Sequence, residues 1–155
     1  MAPVPPGYRV PDVATRIALV AHSFARLLGR PLVDASSDPV AALWHAPQVI
    51  VAHGTQADPV FFFGNAAALD AFDTDVAAFT ALPSRLSAEA PQRDERARLL
   101  ARVARDGFID DYAGVRISQK GRRFTIAGAV VWNLVDAAGA IHGQAATFAT
   151  PRSPA

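Results

Sequence analysis

The sequence predicts an α+β domain, because helical and extended patterns occupy different parts of the chain. Near its end, three apolar runs separated by Gly-containing turns predict three antiparallel strands: Tyr112–Ser118, Arg123–Val135 and Ile141–Phe148. Further upstream, β-branched and aromatic runs predict two more strands at Val49–His53 and Val60–Phe63. The predicted order is therefore a helix, two strands, several helices and a three-stranded meander.

The helices are predicted from apolar spacing and from the residues at their ends. Val13–Leu28 follows Asp12 as a cap, carries one apolar stripe, and is ended by Gly29. The same signals predict further helical segments at Pro39–His45, Ala66–Phe72, Asp75–Phe79 and Pro91–Arg105. We therefore expect a single domain at residues 12–148, preceded by an extended, proline-rich arm at 1–11 and followed by a flexible tail at 149–155.

Turn chemistry predicts the register of the two hairpins. A two-residue turn at Lys120-Gly121 pairs Ile117 with Phe124. Because side chains alternate between faces, this register assigns one set of residues to the core face: Val115, Ile117, Phe124, Ile126, Val130, Trp132 and Leu134. The outer face then carries Tyr112, Arg116, Asn133 and other polar or small residues.

The second hairpin has the pattern of a three-residue loop, Ala137-Ala138-Gly139, with Gly139 left-handed. This loop pairs Trp132 with Gln144. It also places His142 and Gln144 on the otherwise apolar core face.

Composition limits the classes of partner. Half the residues (51%) are hydrophobic and 19% are charged, which is typical of a globular domain. The net charge of +1 argues against nucleic acid as a partner. The absence of cysteine excludes disulfides and thiolate chemistry. The apolar segment Ile17–Val20 is too short to span a membrane, and no membrane partner is expected. We expect a cytoplasmic protein, and the arginine-rich composition indicates a bacterial source.

Several strings of the chain resemble the MEKHLA-domain family, in particular its free-standing bacterial members. They are Ala52–Pro59, Asn65–Leu69, Leu82–Glu89, Gly107–Ser118, Val131–Leu134 and Gly143–Phe148. The resemblance implies a PAS-like, five-stranded antiparallel sheet with helices between strands two and three and an N-terminal amphipathic helix. The family also occurs at the C-terminus of plant homeodomain–leucine-zipper regulators. It implies a sensory or interaction module with no established reaction.

Trp132 and Gln144 are candidate ligand-binding residues, since the predicted register places an amide beside a large aromatic surface in an apolar interior. In flavin-binding relatives of PAS type a last-strand glutamine contacts the isoalloxazine, and Gln144 is similar in placement. The photochemical cysteine of those proteins is absent, and the cofactor stays undefined. The alternative is that Trp132 is core and Gln144 bonds to a neighbouring strand.

Two histidines and one arginine are further candidates. His53 and His142 end and begin strands that are neighbours in a PAS-like sheet, so that Asp58 would complete a two-His-one-carboxylate metal site. The alternative is that His53 bonds to loop backbone and His142 faces solvent. Arg85 could bind a ligand carboxylate at the cavity mouth, or pair with Glu89 while Ser84 and Ser87 cap local turns.

The function expected is a PAS-like sensory module that binds a small molecule and signals to a partner. The alternatives are a constitutive dimerisation domain with a filled core and, third, a small α+β enzyme. Neither a nucleophile elbow nor a phosphate loop occurs, and we expect no catalytic residue. The apolar stripe of the first helix predicts a homodimer in which Phe24 and Leu28 pack on the outer sheet or its symmetry mate. The alternative is a monomer in which this helix folds back on its own sheet.

Overall fold

The chain folds around one five-stranded antiparallel sheet in a computed structural model that describes residues 2–88 and 93–151. The strands are β1 (Val49–His53), β2 (Phe61–Gly64), β3 (Phe108–Ile117), β4 (Arg123–Val135) and β5 (Ile141–Phe148). Their order across the sheet is β2-β1-β5-β4-β3, so that the first and last strands are central neighbours. The predicted α+β class and five-stranded antiparallel sheet are confirmed.

Five α-helices surround this sheet in the described part of the chain. They are α1 (Pro11–Leu28), α2 (Pro39–Trp44), α3 (Ala66–Ala71), α4 (Val76–Phe79) and α5 (Arg93–Asp106). The stretch between β2 and β3 therefore contains the helices that the sequence predicts there. The predicted start of the last helix at Pro91 lies outside the described residues.

The first residues differ from the extended arm that their proline content predicts. Pro6–Arg9 forms a 3₁₀ turn, and Tyr8 is buried against the domain. The Tyr8 hydroxyl donates to the carbonyl oxygen of Gly64 at 3.0 Å and accepts from the Gly64 amide at 3.1 Å. This pairing fastens the N-terminal segment to the end of β2, because it satisfies both backbone groups of one buried residue.

Helix α1 packs on the sheet of its own chain. Its stripe residues Val20 and Phe24 are buried, and the Phe24 and Trp132 rings meet edge to face with centroids 4.9 Å apart. The Trp132 indole donates to the carbonyl oxygen of Val20 at 3.1 Å. We call this side of the sheet the α1 face and the opposite side the inner face. Within residues 2–88 and 93–151, no helix is both long and apolar enough to cross a membrane.

The register of the first hairpin differs from the prediction by one residue. The Ser118 amide donates to the carbonyl oxygen of Arg122 at 2.8 Å, which closes a three-residue loop and leaves Ile117 opposite Arg123. Phe124 consequently lies opposite Arg116. The predicted pairing is wrong because Gly121, with φ 80°, takes the left-handed position of a longer loop.

A β-bulge in β4 then changes which residues of the strand point to each face of the sheet. The pairing of β4 with β3 shifts beside Gly128, which has φ 63°. Phe124 and Ile126, before the bulge, share the inner-face cluster with Ala129, after it. Trp132 and Leu134 belong to the α1-face cluster instead. The prediction of one continuous core face from Phe124 to Leu134 is therefore wrong.

The second hairpin has the predicted loop but contains a bulge. The Asp136 amide donates to the carbonyl oxygen of Ala140 at 3.0 Å, and Gly139 is left-handed with φ 88°, as the sequence predicts. The register then shifts by one residue beside His142 and Gly143. Gln144 consequently lies opposite Asn133 and not opposite Trp132. The bulge turns Gln144 to the inner face and leaves Trp132 on the α1 face.

Candidate functional site

A cavity of about 50 Å³ lies between the inner face of the sheet and the segment that runs from α3 to α5. Its walls are mostly apolar. They include Val51, Phe72, Leu99, Ile126, Val131 and Ala146. Strands β1, β5, β4 and β3 all contribute, because the inner-face residues of an antiparallel sheet lie side by side across its pairs. The cavity therefore occupies the middle of the sheet and not its rim.

Gln144 projects into this cavity with an orientation that its neighbours fix. The Asn133 Nδ2 group donates to the carbonyl oxygen of Val103 at 3.2 Å, so the Asn133 Oδ1 atom must act as an acceptor. Gln144 Nε2 donates to that oxygen at 3.1 Å. The remaining Gln144 atom, Oε1, is buried and has no hydrogen-bond partner among the residues that the structure describes. The amide therefore presents an acceptor to the cavity.

Arg116 lines the same cavity from β3. Its Nη1 atom is buried and finds no hydrogen-bond partner within the described residues. Burial lowers the pKa of the Arg116 guanidinium from its usual value, since desolvation disfavours the charged form. A guanidinium nevertheless keeps its proton in proteins. The cavity therefore contains a buried positive charge with an unused N–H donor.

Tyr112 supports the Arg116 side chain. The guanidinium carbon of Arg116 lies 5.1 Å from the centroid of the Tyr112 ring, which is within the range of a cation–π contact. Between them on the strand, Gly114 leaves the space that the ring crosses, because a Cβ atom there would come within 2.7 Å of the Tyr112 hydroxyl. The stacked ring orients the guanidinium without supplying an acceptor for Nη1.

His53 and Ser87 complete the polar part of the lining. The Nδ1 atom of His53 lies 3.0 Å from the carbonyl oxygen of Gly54. Since a carbonyl only accepts, Nδ1 carries the proton in this contact. The Ser87 hydroxyl donates to the carbonyl oxygen of Ser84 at 2.7 Å. Both side chains therefore have protein partners, unlike Arg116 Nη1 and Gln144 Oε1.

The residues predicted as ligand-binding are distributed over different parts of the molecule. Gln144 and His53 line the cavity, whereas Trp132 is enclosed on the α1 face. The expectation that Trp132 and Gln144 share one face is wrong, because the bulge beside Gly143 separates them. Whether any of these side chains contacts a ligand stays a prediction.

His142 and Arg85 have partners outside the cavity. His142 Nε2 lies 2.7 Å from the Asp136 carboxylate, within the second hairpin. Arg85 pairs with Asp58 at 3.1 Å on the surface. The alternative partner Glu89 lies outside the described residues. In this part of the chain, no three His, Asp or Glu side chains are grouped closely enough to hold a metal ion.

Arg116 lines the cavity, although the register predicted from the sequence places it on the opposite face. The two-residue turn predicted at Lys120-Gly121 assigns it to the outer, polar face. The Gly at the third position of Gln119-Lys120-Gly121 is a signal for the longer loop, since the second hairpin has the same arrangement in Ala137-Ala138-Gly139. The longer loop moves Arg116 to the inner face together with Tyr112.

The fold is that of PAS and LOV domains. It is similar to the PAS domain of a protein from Colwellia psychrerythraea, with a TM-score of 0.60 and 11% identity over 71% of this chain and 91% of that one. It is also similar to the LOV domain of the blue-light photoreceptor Aureochrome1. That match has a TM-score of 0.55 and 17% identity over 78% of this chain and 88% of that one.

The chain belongs to the MEKHLA domain family, whose model matches residues 14–152. Among curated proteins it is similar to the homeobox-leucine zipper protein HOX29 of Oryza sativa subsp. indica, with 29% identity over 135 residues. It is also 27% identical over 139 residues to the homeobox-leucine zipper protein ATHB-8 of Arabidopsis thaliana. The matches cover 83% and 81% of this chain but 16% of each relative. These plant relatives give no support to the expected bacterial source.

Proposed function

We propose that this MEKHLA domain is a cytoplasmic sensory module that binds a small molecule in the inner-face cavity and transmits its occupancy to a partner. One observation carries the proposal. Within the described residues, the buried side-chain polar atoms without a partner are Arg116 Nη1 and Gln144 Oε1, and both residues line the same cavity. Unpaired buried polar groups are costly, and a bound molecule would supply both partners.

The volume of the cavity limits the size of that molecule. Sites for drug-sized ligands usually enclose roughly 300–1,000 Å³. The cavity measures about 50 Å³, so an isoalloxazine would require the cavity to expand. We therefore propose a ligand much smaller than a flavin. The same small volume supports the runner-up, a dimerisation domain whose interior is largely filled.

The cavity-filling substitution Ala146→Leu tests the sensory proposal. Ala146 lines the middle of the cavity, opposite Val131 on β4 and Val51 on β1. A leucine there is expected to occupy the ligand volume and weaken binding by about tenfold or more, since each such factor costs only about 1.4 kcal/mol. Native mass spectrometry of freshly purified wild type and variant would compare the bound mass above the 16.4 kDa chain.

Ala113→Leu is the matched control, because Ala113 is exposed on β3. The substitution there adds the same group outside the cavity. It should retain the bound mass of the wild type. An Ala146→Leu protein that keeps the same bound mass would contradict a ligand in this cavity. A wild type without any bound mass, together with an Ala146→Leu variant destabilised by the about 1–3 kcal/mol typical of overpacking, would favour the filled-core alternative.

A homodimer stays part of the proposal, with a different interface. Phe24 is 1% exposed within its own chain, so the sheet of the same chain already covers the α1 stripe that motivates dimerisation. A partner protomer would have to use another surface, and the exposed side chain of Ile141 at the start of β5 is a place to test. We expect Ile141→Asp to shift sedimentation velocity toward the monomer. A wild type that sediments as a monomer throughout a concentration series would refute the dimer.

A further inference from the structure

The two unpaired atoms belong to residues that line the same cavity, and they have opposite character. Arg116 lies on β3 and Gln144 on β5, with β4 between them in the sheet. Arg116 presents a cationic donor, and Gln144 presents a neutral acceptor. Between them the walls are apolar, with Ile126, Val131 and Ala146 among them. The lining therefore specifies a molecule with two different polar ends and an apolar body.

The positive charge of Arg116 favours a negatively charged ligand group at this end of the cavity. In the described part of the chain, no carboxylate forms an ion pair with Arg116, which contacts the Tyr112 side chain through its ring and a hydrogen bond. A guanidinium that is desolvated without a counter-charge is unfavourable, and a planar carboxylate matches its fork of N–H donors. An arriving carboxylate would pair with a charge that the protein itself leaves uncompensated.

The unpaired oxygen of Gln144 favours a ligand group that donates a hydrogen bond at this end of the cavity. Asn133 uses the Gln144 Nε2 group, so the free Oε1 atom can only accept. A hydroxyl or an N–H group of the ligand satisfies it, whereas a second carboxylate would be repelled. This distinguishes the site from one for a dicarboxylate.

The size of the cavity limits the ligand further. A buried water needs about 10–15 Å³ of volume measured in this way. The cavity of about 50 Å³ therefore holds on the order of four waters or a comparably short organic molecule.

We infer that the cavity binds a short organic acid, with its carboxylate on Arg116 and a hydroxyl or N–H group at its other end on Gln144. The inference rests on the proposed small-molecule function and names the chemistry of that ligand. The carboxylate contributes a charge-assisted pair, and the distal donor selects against plain fatty acids of the same length.

Isothermal titration calorimetry with three series of probes tests this assignment. The first series contains terminal hydroxy acids of two to six carbons. The second contains the unsubstituted acids of the same lengths, and the third contains the corresponding neutral hydroxy amides. We expect one hydroxy acid to bind best, with its unsubstituted acid weaker by about threefold to tenfold and its amide by about tenfold or more.

Three variants assign the contacts. Arg116→Met should abolish the preference for acid over amide, and Gln144→Leu should abolish the preference for the hydroxyl. Arg98→Met removes one charge from an exposed position on α5 and should leave both preferences intact. If Arg98→Met and Arg116→Met weaken acid binding equally, the effect is general electrostatics and the inference fails. Tighter binding of inorganic phosphate than of every acid also overturns it.

The failure of this inference is distinguishable from failure of the proposed function. If native mass spectrometry shows a neutral molecule displaced by Ala146→Leu, or if the amides bind as tightly as the acids, the cavity is a sensory site with a different ligand. If no probe binds and no bound mass is found, both the inference and the proposed function fail.

Discussion

Replacing Gly143 with alanine is expected to cost about 4 kcal/mol or more of the free energy of unfolding, a large effect for a single methyl group. A Cβ atom at Gly143 would overlap the backbone carbonyl oxygen of His53 on the neighbouring strand β1. The backbone at Gly143 also has φ 143°, a conformation that residues with a side chain rarely adopt. Strands β1 and β5 would have to separate at the centre of the sheet. Urea unfolding followed by circular dichroism measures the loss.

Gly139→Ala is the matched control in the same hairpin. Gly139 has φ 88°, but a Cβ atom there would meet nothing within 4 Å. Its substitution should therefore cost only the left-handed strain of about 1–2 kcal/mol. Equal losses at the two glycines would show that backbone strain, and not the close approach of β5 to β1, limits Gly143.

The strand positions were predictable from the sequence, but the faces of the strands were not. β1 begins and ends at the predicted residues, and β4 and β5 do as well. β2 is shifted by one residue, and β3 begins at Phe108 and not at the predicted Tyr112. Strand position follows from β-branched and aromatic runs, which extend over several residues. Face assignment depends on single residues, because a one-residue shift transfers every side chain beyond it to the other side.

Three glycines account for the differences. Gly121 lengthens the first loop, Gly128 marks the bulge in β4, and Gly143 belongs to the bulge in β5. A glycine inside a strand is a known signal of a bulge, but it does not say on which side of it the register changes. The bulge in β5 places Gln144 on the inner face, and the longer first loop places Arg116 there. The lining of the cavity was therefore predictable in part, since Gln144 and His53 lie on it as candidates from the sequence and Arg116 does not.

The helix α1 illustrates the limit of periodicity. Its apolar stripe predicts a buried face, and Ile17, Val20 and Phe24 are indeed buried. The same stripe is compatible with packing on its own sheet or on a second protomer, since both bury the same area. In the structure α1 packs on its own sheet, because the Trp132 indole donates a hydrogen bond to Val20 of the same chain.

Replacing Arg116 with methionine is expected to raise the free energy of unfolding of the ligand-free protein by about 1–3 kcal/mol. An unpaired buried donor costs free energy in the folded state, and the cost is greater when the group is charged. Methionine has a similar unbranched shape, fills irregular apolar space, and needs no hydrogen bond. Such a gain would indicate that the protein retains Arg116 at the expense of stability. Residues of binding sites are often retained in this way.

The measurement is urea unfolding of protein freed of small molecules by refolding, with the slope against denaturant checked for equality between variants. Arg98→Met, which removes an exposed charge, should change stability by no more than about 0.5 kcal/mol. A loss of 1 kcal/mol or more in Arg116→Met would contradict the prediction, since the stacking of Arg116 on Tyr112 is itself worth about 0.5–2 kcal/mol. In that case Arg116 stabilises the folded protein, and its unpaired N–H group is not evidence for ligand binding. A gain in stability together with lost binding of acids would instead assign Arg116 to the site, because a purely structural residue cannot produce both results.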